Sequence, residues 1–281
     1  NTKNFLKKYQ SSGLDRIDIT TALMSFLKHF KRFEIKTQYR TVIKGELKEK
    51  TRKTIPKYSL MVIDEFQNYM PEQIKLLSTC TDPDTKSMIF VGDIAQQIVP
   101  GAVRSWHDIE LDLSDDRQVR LHKVYRNTKQ ILGYIKSLGY VVDIPEGIRE
   151  GSAVSEKIVN GESEVIEYID NLLKTKEGIV GLIGKDINKI DYLKKIFKNE
   201  KRIHIMTMAS SQGVEFDTVC IVGIDNDLFL IKNTNNFPES YIEEKKRINR
   251  DLLYVALTRA ISNLHIIGTC TITSLMSPNQ K

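Results

Sequence analysis

Two adjacent carboxylates, Asp64 and Glu65, follow the apolar segment at residues 58–63. An apolar run of this kind predicts a buried parallel strand, and open α/β sheets bind their ligands beyond the carboxyl ends of such strands. At that place Asp64 could bind the metal of a Mg²⁺-nucleotide, and Glu65 could take a proton from an attacking water. The alternative is an ordinary strand end that turns into solvent.

A second segment repeats this arrangement further along the chain. Residues 88–91 are apolar, Gly92 permits a tight turn, and the polar residues Asp93 and Gln96 follow. The intervening residues 71–79 have the length of a crossover helix. Two consecutive parallel strands with polar tips at one sheet edge predict one shared site.

Three more blocks follow, and the ordered set of five resembles a known family. In order they are Asp64 to Gln67, Gly92 to Gln96, Tyr125-Arg126, Thr207 to Asp217 and Tyr254 to Ala260. They are similar to motifs II to VI of superfamily 1A DNA helicases of the UvrD/Rep/PcrA type. The resemblance covers residues 58–270, and each block alone is short and degenerate.

The resemblance implies roles for the first two blocks. Asp64 would coordinate Mg²⁺, and Glu65 would orient and deprotonate the hydrolytic water. Gln67 and Gln96 would sense the γ-phosphate of ATP, with Gln96 linking it to the nucleic-acid groove. For Gln96, a neutral polar residue at a turn is the alternative.

The resemblance also implies roles for the later blocks. Arg126 and Arg259 would be arginine fingers, which stabilise charge on the phosphoryl oxygens when domain closure delivers them. The alternative for both is a surface arginine at a helix start. The remaining implied contacts are Tyr125, Gly213 and Glu215 with the nucleotide, and Thr207 and Ser210 with nucleic acid. Trp106 could replace an aromatic missing from motif III and stack on a base, or it could be a core tryptophan.

The chain has no phosphate-binding Gly-x-x-x-x-Gly-Lys-Ser/Thr loop. The nearest candidate, Gly184-Lys185, is followed by Asp186 and has Ile179 at the place of the first glycine. We therefore expect the chain to be the C-terminal portion of a longer polypeptide, or to be completed by another chain. Alone it would bind ATP weakly and hydrolyse it negligibly.

Composition predicts a cytoplasmic protein that contacts nucleic acid. The formal net charge of the 281 residues is +6, and residues 1–57 hold 15 Lys and Arg against 5 Asp and Glu. Basic side chains interleaved with aromatic ones favour contact with single-stranded DNA, although solvated lysine-rich helices are the alternative. No apolar run reaches the 18 residues of a membrane span. The three cysteines are too far apart in the sequence to suggest a metal site: Cys80, Cys220 and Cys270. Cysteines without such spacing are expected in a reduced compartment.

The predicted fold class is α/β, with the RecA-like P-loop NTPase fold that the resemblance implies. Residues 1–57 would be a basic, mostly helical segment, which the resemblance makes a remnant of the 1B insertion, with a highly charged and mobile connection at residues 44–57. Residues 58–113 would be part of the first RecA-like domain, 114–120 a hinge, and 121–281 the complete second RecA-like domain. The 80 residues between Arg126 and Thr207 leave no room for a full-sized 2B insertion.

The function implied by the resemblance is an ATP-dependent DNA helicase or translocase, in DNA repair or phage defence. Its cofactors would be ATP and Mg²⁺, and a protein partner is a further expectation. Ala209 and Gln212 depart from the usual His and Lys of motif V, and that His commonly helps contact single-stranded DNA. The aromatic residue missing from motif III weakens the expectation of processive unwinding. The alternative is a non-catalytic or DNA-sensing helicase-like subunit that binds nucleic acid or a partner without unwinding.

Overall fold

A computed structural model of the protein divides into two compact units between Ser114 and Asp115. The residues it describes are 16–30, 35–43, 45–54, 57–85, 87–111, 114–119, 126–231 and 237–276. The predicted hinge at residues 114–120 and the predicted domain limits remain predictions.

The first unit combines a helix, a hairpin and a strand–helix–strand crossover. Its elements are α1 (Arg16–Phe30), β1 (Ile35–Ile43), β2 (Glu46–Thr54), β3 (Leu60–Ile63), α2 (Pro71–Ser78) and β4 (Ser87–Phe90). β3 and β4 are parallel and in direct register from Leu60 opposite Ser87 to Ile63 opposite Phe90. The predicted crossover, with its helix after the first carboxylate pair, is therefore confirmed.

β3 differs from its prediction because only one of its faces is buried. Ile63 packs with Phe66, Ile74 and Val103 in the core of this unit. The side chains of Leu60 and Val62 point the other way and are 53% and 57% exposed. Side chains alternate between the two faces of a strand, and among the described residues only one face of this two-stranded sheet is covered. The expectation of a strand buried on both faces was therefore wrong.

The basic N-terminal segment is not mostly helical. Only residues 16–30 form a described helix, and β1 pairs antiparallel with β2 from Ile35 opposite Thr54 to Ile43 opposite Glu46. The expected charged connection at residues 44–57 is thus largely a strand. Gly45, at φ 81°, supplies the positive φ that favoured hairpin turns require. β1 contains five β-branched residues and Tyr39, which favour a strand.

The second unit is built on a five-stranded sheet in the order β5-β9-β8-β6-β7, and every pairing is parallel. Its strands are β5 (Ser155–Ile158), β6 (Val180–Gly184), β7 (Ile203–Thr207), β8 (Phe216–Ile224) and β9 (Ala260–Gly268). Its helices are α3 (Lys129–Ser137), α4 (Glu162–Thr175), α5 (Asp191–Ile196), α6 (Glu239–Leu257) and α7 (Ile272–Met276). The predicted α/β class is confirmed.

Helices cover both faces of this sheet, which explains the continuous apolar strands. One core contains Ile131 of α3 and Leu253 of α6 against Ile221, and the other contains Ile169 of α4 against Leu182. All five residues of β6 are buried, as expected of a parallel strand covered on both sides. Among the described residues, no helix is both long enough and apolar enough to cross a membrane.

Candidate functional site

The carboxyl ends of β3 and β4 lie side by side, as the sequence predicted. The amide of Val91 donates to the carbonyl of Ile63 over 2.9 Å, and the amide of Phe66 donates back to the carbonyl of Val91 over 3.1 Å. The main chain therefore fastens the turn after β3 to the end of β4. Both sets of predicted polar side chains emerge at this edge.

Glu65 has a left-handed backbone conformation, with φ 52° and ψ 40°. This conformation is uncommon for residues other than glycine and often marks a functional site. The Glu65 amide donates to Oδ1 of Asp64 over 2.9 Å, so the turn is held by the neighbouring carboxylate. Asp64 is exposed and Glu65 is half-buried, so both carboxylates can be reached from solvent.

Gln67 joins the two strand ends through its side chain. Its Nε2 donates to Oε2 of Glu65 over 2.6 Å, and its Oε1 accepts from the amide of Asp93 over 3.1 Å. The side chain is fully buried. A Cβ at Gly92 would lie 2.1 Å from Oε1 of Gln67, so the close approach of backbone to amide requires glycine there.

Gln96 extends this polar cluster along the β4 side. Its Nε2 donates to Oδ2 of Asp93 over 2.8 Å. The structure therefore gathers Asp64, Glu65, Gln67 and Gln96 at one edge. Within the described residues no group of three or more His, Cys, Asp or Glu could hold a metal ion. A Mg²⁺ here would rely on one carboxylate together with nucleotide phosphates and water, which is how Mg²⁺ commonly binds.

Trp106 packs inside the first unit. Its ring stacks on Phe66, with centroids 4.8 Å apart and planes at 9°, and meets Phe90 edge-on at 5.8 Å. Stacking against Phe66 occupies one face of the indole. This placement favours the core tryptophan over the base-stacking aromatic.

In the second unit, Arg126 forms an ion pair with Glu215. The Arg126 side chain is 68% exposed and that of Glu215 is 31% exposed. Gly213, two residues before Glu215, has φ 80°, a conformation that favours glycine. Two of the predicted nucleotide contacts are thus brought together with one predicted finger. Tyr125 lies outside the described residues.

Arg259 is buried, with an exposed fraction of 6%, so it is not the surface arginine of the alternative reading. Its Nε donates to the carbonyl of Val255 over 2.9 Å, and its Nη2 donates to Oγ1 of Thr258 over 3.1 Å. A third bond, from Nη1 to the carbonyl of Val214, spans 3.4 Å. In this conformation the guanidinium group is folded against its own unit.

Two side chains that the sequence did not single out tie the Arg126 segment to the Arg259 segment. Asn127 is buried and donates from Nδ2 to the carbonyls of Thr258 and Ala260, over 3.1 and 2.7 Å. Arg149 donates to the carbonyl of Arg126 over 2.5 Å and also bonds the carbonyl of Ile261. These bonds hold the two predicted fingers in a fixed relation within this unit.

Thr207 and Ser210 form a closed pair at the end of β7. The Thr207 amide donates to Oγ of Ser210 over 3.0 Å, and the two hydroxyls are 2.9 Å apart. Lys185 follows the neighbouring strand and donates from Nζ to the carbonyl of Asp227 over 3.0 Å, and burial lowers the pKa of its ammonium group. Gly184-Lys185 is therefore a strand end and no phosphate loop.

Comparison with known proteins identifies relatives of the chain. A sequence model of the UvrD-like helicase C-terminal domain matches residues 7–271. The ATP-dependent DNA helicase PcrA of Staphylococcus aureus is 23% identical over 211 residues, covering 73% of this chain and 26% of its own length. A probable DNA helicase II homolog of Mycoplasma pneumoniae is 24% identical over 193 residues, covering 59% of this chain and 26% of its own length.

A solved structure also matches. It is the C-terminal domain of a possible DNA helicase from Lactobacillus plantarum WCFS1, at 21% identity and a TM-score of 0.35. The match covers 55% of this chain and 93% of that one. The chain spans about a quarter of the length of the two curated relatives, at 26% of each.

Proposed function

Because the chain belongs to the UvrD-like helicase C-terminal domain family, we propose that it is part of an ATP-dependent DNA helicase or translocase. ATP hydrolysis at the Asp64–Glu65 edge would drive movement on single-stranded DNA. A place in DNA repair or phage defence, and a protein partner there, belong to the same proposal.

The observation that carries the proposal is the buried Gln67 amide between the two strand ends. It holds Oε2 of Glu65 at 2.6 Å while accepting from the amide of Asp93. A general base needs a fixed carboxylate, and a sensor of the γ-phosphate needs contact with both the base and the neighbouring strand. Gln67 meets both requirements, and Gln96 continues the connection through Asp93.

When Mg²⁺ and ATP are bound, they supply the electrophilic phosphoryl group and neutralise part of its charge. Asp64 would hold the metal or its waters, and Glu65 would orient a water and accept its proton. Gln67 keeps the Glu65 carboxylate in place. Gly213, Glu215 and Tyr125 would contact the nucleotide.

Arg126 and Arg259 would supply positive charge to the transition state. Arg126 would have to exchange its ion pair with Glu215 for a contact with a phosphate oxygen. The Arg259 side chain would have to leave its carbonyl partners and reorient. Both exchanges replace existing hydrogen bonds, so the arginines would engage only when a nucleotide offers stronger, charge-assisted bonds. Thr207 and Ser210 would contact the nucleic-acid backbone through their exposed edge.

Because the sequence contains no Gly-x-x-x-x-Gly-Lys-Ser/Thr pattern, we propose that other polypeptide holds the β- and γ-phosphates. The open face of β3 and β4 supports this proposal. Leu60, Val62, Ile89 and Val91 expose between 48% and 57% of their surface there. Apolar surface of this kind on adjacent strands is usually covered.

The test is the ATPase rate of the full-length polypeptide that contains this chain, with and without single-stranded DNA. We expect Glu65→Gln to lower turnover by about 10²- to 10⁴-fold while ATP binding, followed with a fluorescent analogue, changes little. Glu72→Gln is the matched control, because it removes an exposed carboxylate of α2 in the same unit. Turnover that is equal in both variants would remove Glu65 from the role of base.

The alternative is a non-catalytic or DNA-sensing subunit that retains the helicase scaffold. The folded-back conformation of Arg259 favours it, because a buried guanidinium with carbonyl partners is also a stable structural element. In that case the unaltered polypeptide would bind single-stranded DNA without measurable ATP turnover, and Glu65→Gln would leave DNA binding unchanged.

A further inference from the structure

The turn that carries Glu65 is fixed at both of its ends. At its start, the amide of Phe66 donates to the carbonyl of Val91, which fastens the turn to the end of β4. Within the turn, the amide of Asn68 donates to the carbonyl of Glu65 over 2.9 Å. At its far end, the carbonyl of Asn68 accepts a hydrogen bond from Nη2 of Arg16 over 2.5 Å. Arg16, 52 positions earlier in the chain, therefore supplies the second attachment of the turn.

Arg16 also bonds the first turn of α2. The same Nη2 donates to Oε1 of Gln73 over 3.0 Å. This oxygen in turn accepts from the amide of Met70, the N-cap residue of α2, over 2.9 Å. A terminal guanidinium nitrogen carries two hydrogens, so it can donate to both acceptors at once. Arg16 thereby joins the end of the Glu65 turn to the start of α2.

The helix α1 places Arg16 for these bonds. Oγ1 of Thr20 donates to the carbonyl of Arg16 over 2.7 Å, and Thr20 is 5% exposed. α1 also contacts α2, so the two helices that flank the turn lie together. Arg16 itself is exposed and contributes polar bonds to the turn with little buried apolar surface.

From these contacts we propose that Arg16 is a positioning residue for Glu65. The left-handed conformation of Glu65 is unfavourable for a residue with a side chain, and it persists only where the surrounding contacts enforce it. Gln67 fixes the Glu65 carboxylate, and Arg16 fixes the main chain that carries it. Hydrogen bonds from a charged donor are the stronger ones, so loss of Arg16 releases the far end of the turn.

This inference rests on the proposed function, in which Glu65 is the general base. The experiment measures ATP turnover of the full-length polypeptide at saturating single-stranded DNA. Arg16→Gln is expected to lower kcat about tenfold while KM for ATP changes less than about twofold, because a displaced base slows the chemical step more than it weakens binding. Arg16→Lys keeps the charge without the planar donor set, so we expect an intermediate loss of kcat, about threefold.

The matched control is Lys75→Gln, which removes an exposed cation of α2 in the same unit. Nζ of Lys75 lies 3.3 Å from Oε1 of Glu110, away from the bonds that hold the turn. The control is expected to keep the kcat and KM of the unaltered protein. The proposal is overturned if Arg16→Gln lowers kcat no more than Lys75→Gln does.

A double variant separates positioning of Glu65 from a general structural role. If Arg16 acts through Glu65, then adding Arg16→Gln to Glu65→Gln is expected to change the single-turnover rate less than about twofold. A second tenfold loss in the Glu65→Gln background would mean that Arg16 acts independently of Glu65, which contradicts the proposal. Arg16→Lys replaces Arg16→Gln in both backgrounds if Arg16→Gln lowers Tm more than the control does.

Hydrogen–deuterium exchange of residues 65–70 tests the same contact without ATP. Arg16→Gln is expected to raise the exchange rate of these amides about tenfold, whereas Lys75→Gln leaves it unchanged. Equal exchange in the two variants overturns the proposal. If the unaltered protein hydrolyses no ATP with or without DNA, the proposed function fails, and the exchange comparison still decides whether Arg16 holds the turn.

Discussion

Replacing Asn127 by Ala tests the link between the two predicted arginine fingers. The Asn127 side chain is 2% exposed, and its Nδ2 donates to the carbonyls of Thr258 and Ala260 on either side of Arg259. The substitution removes both donors at once. The carbonyls stay in place because the strand and helix that carry them are packed in the core.

The expected loss of stability follows from these two hydrogen bonds. A buried carbonyl left without a partner costs about 1–3 kcal/mol, so we expect Asn127→Ala to destabilise the second unit by about 2–4 kcal/mol. Asn127→Asp has nearly the same shape but sets a carboxylate against two carbonyl oxygens. At neutral pH, Asn127→Asp is expected to destabilise the second unit more than Asn127→Ala does. The difference in stability between the two variants should become smaller in acid, where a protonated Asp can donate to one carbonyl.

The assay is urea unfolding followed by two signals. Trp106 is the only tryptophan and lies in the first unit, so its fluorescence reports that unit, whereas far-UV circular dichroism follows both. Asn188→Ala, at an exposed position in the second unit, is the control and is expected to stay within about 0.5 kcal/mol. If Asn127→Ala matches that control, the two hydrogen bonds do not hold the Arg259 segment. If Asn127→Asp proves more stable than Asn127→Ala at neutral pH, the carbonyls of Thr258 and Ala260 are not the partners of this side chain.

Further predictions concern two glycines, Arg259 and His265. Gly92→Ala is expected to displace the Gln67 amide and to lower both Tm and ATP turnover. Gly133 lies in α3 with open space where a Cβ would stand, so Gly133→Ala should stabilise the protein by about 0.5–1 kcal/mol in thermal unfolding. Arg259→Ala is expected to lower single-turnover ATP hydrolysis by about 10³-fold, and an unchanged rate would make this arginine purely structural. Burial lowers the pKa of His265 to about 4, so protons bind the unfolded chain preferentially. Stability should therefore fall by about 2 kcal/mol as the pH drops from 6.5 to 4 in urea titrations, and His265→Gln should flatten that dependence.

The strand tips of the first unit could be predicted because their signals are local. An apolar run that ends in carboxylates specifies both a strand and the direction in which it ends, and Gly92 marks the close approach at the next tip. The second sheet could be predicted for the same reason, since β6 and β8 are apolar runs with few interruptions. Periodicity of this kind is the most reliable sequence signal.

The hairpin was missed because its sequence offers two patterns at once. Residues 44–57 are so rich in lysine that a mobile connection was predicted, and charge masked the alternation along β2. The signal that could have identified it was Gly45 between two nine-residue stretches, the first with β-branched residues and Tyr39. Turn chemistry outweighs overall charge in such a segment.

The hydrogen bonds that Asn127 and Arg149 donate could not have been predicted from one sequence. Asn127 bonds residues 131 and 133 positions away, and Arg149 bonds a residue 112 positions away. The acceptors are main-chain carbonyls, which every residue carries. The residue types at the accepting positions therefore give no indication of these hydrogen bonds. Only the donors are specific, and Asn or Arg in a loop is equally suited to solvent. The relation between the two predicted fingers is therefore set by the tertiary fold, and double substitution of Asn127 and Arg149 measures it directly through the coupling energy of the pair.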